Sequence, residues 1–136
     1  MPLKITLKPN EKIIIGGAVV TNGSRRNSCL VIENDAPLLR ERDIIGEQDA
    51  DTPCKRIYFT VQLMYIDEEN LAIHQHNYWK LVEQLLEAAP RLTGFIDRIN
   101  EEIVNRRYYK ALKLTQQLID YEQEVVSRVQ QCPAHL

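Results

Sequence analysis

The stretch from Leu3 to Gly16, Leu-Lys-Ile-Thr-Leu-Lys-Pro-Asn-Glu-Lys-Ile-Ile-Ile-Gly, constrains the fold more than any other part of the chain. Side chains on a strand alternate between its two faces, so Leu3, Ile5 and Leu7 share one face while Lys4, Thr6 and Lys8 share the other. Pro9-Asn10 supplies turn chemistry, and Ile13 to Ile15 begin a second apolar strand that stops at Gly16-Gly17. One face of the opening strand is suited to burial, and the other offers two ammonium groups and a hydroxyl. Such a strand in a small, mildly acidic chain points to a binding module before it points to an enzyme.

The rest of the front continues in strands. Ala18 to Thr21 is a short β-branched run, and Asn22-Gly23-Ser24 is a turn that favours positive φ, which predicts a hairpin to the next strand. That strand spans Ser28 to Glu33, with Cys29, Leu30, Val31 and Ile32 as an apolar run consistent with a well-buried strand, and Asn34-Asp35-Ala36-Pro37 closes it. Leu38 to Ile45 fits either a last strand or a short helix.

A composition shift follows. Gly46 to Asp51 is a polar connector, and Thr52-Pro53 opens a helix, with threonine placed to cap free backbone N–H groups and proline tolerated at the first helical position. Ile57, Val61 and Met64, with Tyr58, Phe59, Leu63, Tyr65 and Ile66 beside them, give a helix apolar around most of its girth, although its β-branched residues leave a strand open. After Asp67 to Asn70, the three- and four-residue spacing of Tyr78, Leu81, Val82, Leu85 and Leu86 predicts an amphipathic helix over about 71–89, ended by Pro90. Leu92, Phe95, Ile96, Ile99, Ile103 and Val104 mark a third, interrupted near Asn105 to Arg107. A last segment runs to about Gln131 through Leu112, Leu118, Ile119, Val125, Val126 and Val129. Cys132 to Leu136 has no periodicity and reads as a frayed end. The fold class is α+β: a small N-terminal antiparallel β-rich unit over 1–50, then a bundle of three to four helices over 53–131 that packs on it or mediates oligomerisation. Neither half buries a large fraction of its surface alone, so mutual packing or a homo-oligomer, most simply a dimer, is expected.

Charge limits the partners. The formal net charge of −2 gives no global attraction to a polyanion, so any nucleic-acid contact must be local. Residues 1–45 hold seven basic groups against five acidic ones, and the acid lies further on. No apolar run approaches the roughly 18 residues that cross a bilayer, and the start lacks the pattern of a secretory signal, so a cytoplasmic protein without a membrane partner is expected. Cys29, Cys54 and Cys132 are odd in number and widely spaced, which predicts buried or half-buried free thiols in place of a disulfide framework or a zinc site. His74 and His76 diverge by roughly 200° on a helix and read as solvated, not as a metal pair. No nucleophile elbow, phosphate loop or dinucleotide fingerprint occurs. Paired acids such as Glu101-Glu102 fit exposed helical faces. We therefore assign no catalytic residue, no metal and no cofactor.

Basic groups make the stronger case. On a strand, Arg40 and Arg42 would share a face, and guanidinium forks suit phosphate oxygens. With Lys4, Thr6 and Lys8 they would form one basic edge, which Arg25 and Arg26 beside the turn would extend. The competing reading is an ordinary surface paired by Glu41 and Asp43. A second cluster, Arg106, Arg107, Tyr108, Tyr109, Lys110 and Lys113, interleaves cations with aromatics on which unpaired bases stack, though tyrosines there serve a core equally well.

Several short stretches together resemble the flagellum biosynthesis repressor family. They are Met-Pro-Leu-Lys-Ile-Thr-Leu-Lys-Pro-Asn-Glu-Lys at the start, Gly17-Ala18-Val19-Val20 with Asn22-Gly23 and Arg26, Leu39-Arg40-Glu41 with Asp43-Ile44, Thr52-Pro53 with Arg56-Ile57-Tyr58-Phe59, and Tyr109-Lys110-Ala111-Leu112. The resemblance implies a cytoplasmic regulator that binds the 5′ untranslated region of flagellin mRNA, lowers its translation and promotes its decay, with no role for DNA. It also allows the opposite sign, since some members favour flagellin synthesis. Residues 3–45 more distantly resemble the carbon-storage-regulator family: Leu3, Ile5, Thr6, Glu11, Ile15 and Gly16 match its opening pattern, Lys8 falls on its second arginine, and Leu7 replaces its first. Ala36-Pro37 and Arg40-Glu41-Arg42-Asp43-Ile44 look like its final strand, which leaves open whether Arg40 or Arg42 is the key arginine. That likeness implies a dimer, its RNA site joining one subunit's first strand to its partner's last. The competing interpretation is a protein-interaction factor whose helices bind flagellin or a companion flagellin-synthesis regulator, with Tyr58, Phe59, Met64, Tyr65 and Trp79 as anchors. A small nuclease using Glu101, Glu102 and His76 is a third.

Overall fold

A computed structural model describes residues 2–131, with side chains described as far as Arg128. The expectations for Cys132 and the frayed end lie outside the described residues. The chain divides into two compact units between Ile44 and Ile45.

The first unit holds five strands: β1 (Leu3–Leu7), β2 (Lys12–Ile15), β3 (Ala18–Thr21), β4 (Ser28–Ile32) and β5 (Leu38–Arg40). They form two antiparallel sheets, β1 with β4, and β2 between β3 and β5. The Lys8–Glu11 turn has Pro9 in its second position and Asn10 at φ 65° in its third, and the Glu11 N–H donates to the Lys8 carbonyl at 3.0 Å, as a type II turn requires. Gly16 and Gly17, at φ 57° and 87°, make the two-residue link from β2 to β3. Positive φ at both central positions is the demand of a type I′ hairpin, which glycine meets without steric cost.

The hairpin expected at Asn22-Gly23 does not form. β3 is already paired with β2 through the tighter Gly16-Gly17 turn, and β4 pairs with β1, so the segment after Thr21 carries the chain from one sheet to the other. Asn22 is buried and holds this crossing. Its Nδ2 donates to the carbonyls of Leu7 (3.0 Å) and Arg26 (2.8 Å), and its Oδ1 accepts from the Ser24 N–H (3.0 Å). Leu38 to Ile45 resolves into both alternatives in turn, three residues of strand and then a 3-10 turn at Glu41–Asp43. The core is built on Ile5, Leu7 and Ile13, with Leu30, Ile32, Val20, Ile15 and Leu38 packed against them. Leu3 lies on the same side of β1 but is 52% exposed.

The second unit is a four-helix arrangement: α1 (Pro53–Ile66), α2 (Leu71–Ala88), α3 (Thr93–Val104) and α4 (Tyr108–Gln131). Short 3-10 turns at Glu68–Asn70 and Pro90–Leu92 lead into α2 and α3. α1 packs on α2 and α4, α3 packs on α4, and the Tyr78 hydroxyl donates to the Asn100 amide oxygen to tie α2 to α3. Ile57, Val61, Met64, Tyr78, Ile99 and Leu118 form its interior. Thr52 caps α1 as its sequence position predicts, accepting from the Lys55 N–H at 3.2 Å. Since the first turn of α1 carries no acid of its own, Glu122 of α4 supplies one, accepting from the Cys54 N–H at 3.2 Å. The buried Cys54 thiol is pushed up to about 12, first by burial and then by that carboxylate.

The helix expected to be apolar around its girth contains a buried amide. Gln62 accepts from the Ile45 N–H (2.8 Å) and donates to the Ile45 carbonyl (2.9 Å), pairing with the entering chain as a neighbouring strand would. The interruption foreseen at Asn105 to Arg107 is a Schellman cap, with the Arg106 N–H on the Ile103 carbonyl, the Arg107 N–H on the Glu102 carbonyl and Arg106 at φ 59°. His74 departs from expectation. It is buried, and its Nε2 lies 2.9 Å from Asp67 Oδ2, because the chain reversal between α1 and α2 brings the residue after α1 onto the first turn of α2. The Asp67 carboxyl is lowered by hydrogen bonds from Asn70 and then His74.

Candidate nucleic-acid interface

The β1–β4 register sets the face in question. Lys4 stands opposite Val31 and Thr6 opposite Cys29, so these four residues occupy the side turned away from Ile5, Leu7, Leu30 and Ile32. All four are exposed, so β4 is not the well-buried strand expected and Cys29 not the buried thiol expected, because β4 pairs only with β1 and its alternate residues face away from the core. Lys8 lies one residue beyond the strand, exposed, with its backbone N–H donating to Glu11 Oε1 at 2.9 Å. Thus the period-two reading places Lys4 and Thr6 together, and the Pro9-Asn10 turn fixes where Lys8 leaves the strand.

Arg40 sits at the end of β5, where its register partner on β2 is Ile13. Its Nη2 donates to the Thr6 carbonyl at 2.9 Å and lies 4.0 Å from Glu11 Oε2, with the side chain 35% exposed. It is therefore a brace between β5 and the end of β1 that still presents guanidinium edge to solvent. The alternation that was to put Arg42 beside it ends at Arg40, because the 3-10 turn takes over at Glu41. Arg42 is 76% exposed and pairs with Asp43 at 3.9 Å. Arg25 and Arg26 are exposed on the crossing segment, whose backbone is set by Asn22 and by the Ser24 hydroxyl donating to the Arg26 carbonyl at 2.7 Å.

The charge balance of this unit is local. Glu11 is engaged by the Lys8 N–H and by Arg40, whereas Lys4, Lys8, Arg25 and Arg26 form no ion pair among the described residues. An exposed sheet face with an ammonium, a hydroxyl and flat apolar surface, bordered by further cations, can hold phosphate oxygens and support an unpaired base. Sequence reasoning missed Glu11, Asn22 and Cys29. Glu11 and Asn22 flank turn residues that signal hydrogen bonding, but Cys29 joins the face only through a non-local strand pairing.

The second cluster is less available. Arg107 Nε pairs with Glu102 at 2.7 Å, and Tyr108 is half-buried, its hydroxyl pKa raised first by burial. Tyr109 is 40% exposed, with Lys113 Nζ 5.0 Å from its ring centroid and the Tyr65 ring 6.4 Å away. Arg106 and Lys110 are exposed. Among the described residues, no cluster of three His, Cys, Asp or Glu side chains is placed to hold a metal ion, and no helix is long and apolar enough to cross a membrane.

A family model described as "Flagellar protein FlbT" matches residues 3–126, from the first residue of β1 into α4. The chain belongs to the FlbT family. A relative from Rhodopseudomonas palustris (strain TIE-1), named "Probable flagellum biosynthesis repressor protein FlbT", is 41% identical over 94% of this chain and 100% of its own length. A Caulobacter sp. (strain K31) FlbT of the same name is 41% identical over 95% of this chain and 99% of its own. The "Flagellum biosynthesis repressor protein FlbT" of Caulobacter vibrioides (strain ATCC 19089 / CIP 103742 / CB 15) is 40% identical over 95% and 92%. No solved structure matches the chain. The FlbT match takes in both units, so the sheet face and most of the helical unit lie within the matched length.

Proposed function

We propose that this chain is a cytoplasmic, post-transcriptional repressor of flagellin synthesis that binds the 5′ untranslated region of flagellin mRNA, reduces its translation and promotes its degradation. The names of its relatives support the repressor role. The observation that carries the RNA reading is the exposed Lys4–Thr6 face, with Lys8 at its end and the Arg40 guanidinium on the Thr6 carbonyl. In this reading Lys4, Lys8, Arg25, Arg26 and Arg42 contact phosphates. Arg40 holds the end of β1 in place and offers its remaining N–H groups to the RNA. Cys29 and Val31 provide the apolar floor on which a base lies, and the Tyr109 cluster is a secondary contact. The protein acts as a homodimer and needs no cofactor.

The test is in vitro translation of a reporter carrying a flagellin leader, with purified protein added, beside the same reporter with an unrelated leader. Repression confined to the flagellin leader and lost in the Lys4→Ala/Lys8→Ala variant is expected. Equal output from both reporters contradicts the proposal.

The protein-interaction alternative keeps only some of its anchors. Tyr58 and Met64 are buried in the second unit and unavailable to a partner, because they face the bundle interior. Trp79 and Ile73 are 51% and 59% exposed on α2.

A further inference from the structure

We infer that the cavity where the start of α1 and the end of α2 meet α4 binds a small primary amine, its ammonium group paired with Glu122 and its hydrocarbon held by the apolar wall. The site lies in the helical unit and has no part in the RNA reading. On α4 the buried stripe runs through Ala111, Leu112, Thr115, Leu118 and Ile119, and its next position, four residues after Leu118, is Glu122. A carboxylate therefore stands where helix packing ordinarily places an apolar side chain. One of its oxygens is engaged, for Oε2 accepts from the Cys54 N–H at the start of α1. The other, Oε1, is buried and has no hydrogen-bond donor among the described residues. Capping α1 uses a single oxygen, and a buried acceptor without a donor is costly.

The surroundings of Glu122 select the ligand. It lines a cavity of about 150 Å³ whose wall is otherwise mostly apolar, from Leu85, Ala89, Leu92, Val125 and Val126. A space of about this size takes a benzene-sized hydrocarbon. Cys54 is also on the wall and adds no charge, since burial pushes its thiol up to about 12. Two charged residues line the cavity, Glu122 and Arg91, and their settings differ. Arg91 is exposed, its Nε donating to the Tyr121 hydroxyl at 3.4 Å, so water screens its repulsion of a bound cation. Glu122 Oε1 is out of water, where a charge is screened less and a charge-assisted N–H···O bond is strongest. An ammonium group meets that demand. A hydroxyl meets it more weakly, and a carboxylate is repelled.

The experiment titrates the full chain with isoamylamine, isoamyl alcohol and isovalerate, which share a branched hydrocarbon and differ in charge, and follows backbone amide NMR shifts. Isoamylamine should shift Cys54, Leu92 and Val125 saturably, with an affinity about tenfold above that of the alcohol. Isovalerate should shift none of them. Glu122→Gln keeps an oxygen for the Cys54 N–H but loses the charge, so it should bring the amine down to the affinity of the alcohol. Arg91→Gln, at an exposed residue, should tighten the amine by about two- to threefold and leave the alcohol unchanged. No saturable shift with the amine, equal binding of amine and alcohol, or an amine preference that survives in folded Glu122→Gln would overturn the inference. Should Glu122→Gln lose its native circular dichroism, the ranking on the unaltered chain and the Arg91→Gln response decide it, and an amine not tightened by Arg91→Gln counts against it.

Discussion

Arg40 and Arg42 sit two residues apart and do different work. Arg40 braces the Thr6 carbonyl and Glu11, so Arg40→Ala should cost about 1 kcal/mol in urea unfolding, the typical net worth of one hydrogen bond. Arg42 is largely solvated, and Arg42→Ala should leave the urea midpoint unchanged while weakening RNA binding at low salt. Equal stability losses for both would contradict the brace. Cys29 offers a second test at this scale, because it stands opposite Thr6 on the exposed face whereas Cys54 is buried with its thiol pushed up to about 12. In a Cys132→Ser background, a bulky maleimide should react with Cys29, leave Cys54 unmodified, and abolish binding of a flagellin leader RNA. Retained binding by the modified protein would remove this face from the RNA site.

The caps and turns show which elements could be read in advance. Thr52-Pro53 begins α1 where its chemistry predicts, and the α2 and α3 stripes fall where their spacing puts them, apart from Val104, left 74% exposed at the end of α3, because capping and amphipathicity are local properties. Strand pairing is not local. Asn22-Gly23 carries hairpin chemistry, yet Gly16-Gly17 takes β3 and leaves Asn22 to hold a crossing between sheets. The Arg106 cap was similarly hidden, since arginine is rarely the residue at an αL position. Arg106→Gly should therefore stabilise the protein by about 1 kcal/mol, seen as a higher melting temperature. The α1–α2 junction has a pH signature. The Asp67 carboxyl is lowered in the folded chain, so its contribution to stability is present above its unfolded value and is lost as pH falls through the folded one. Asp67→Asn should flatten the acid limb of a stability–pH profile below about pH 4; an unchanged limb would show that the His74 and Asn70 contacts do not hold in solution.

Across the whole chain, the segregation of strands before helices was legible because the hydrophobic period changes from two to 3.6 near Thr52. The candidate face was legible only in part. Lys4 and Thr6 followed from alternation, but the Arg40 brace, the engagement of Glu11 and the arrival of Cys29 and Val31 depend on contacts between segments distant in sequence. Burial of His74 and Gln62 was likewise hidden, since each depends on a partner supplied by a chain reversal. What the chain presents as a whole is a nearly neutral molecule with the cations proposed to contact RNA gathered on one small unit, and this makes salt the sharpest probe. Titration of a flagellin leader RNA across a range of salt concentrations should show affinity falling log-linearly, with a slope of about 0.7 per phosphate contacted. The slope should become shallower in a Lys4→Ala/Lys8→Ala/Arg42→Ala variant that keeps its native circular dichroism. The same affinity and the same slope in the folded variant would contradict the account.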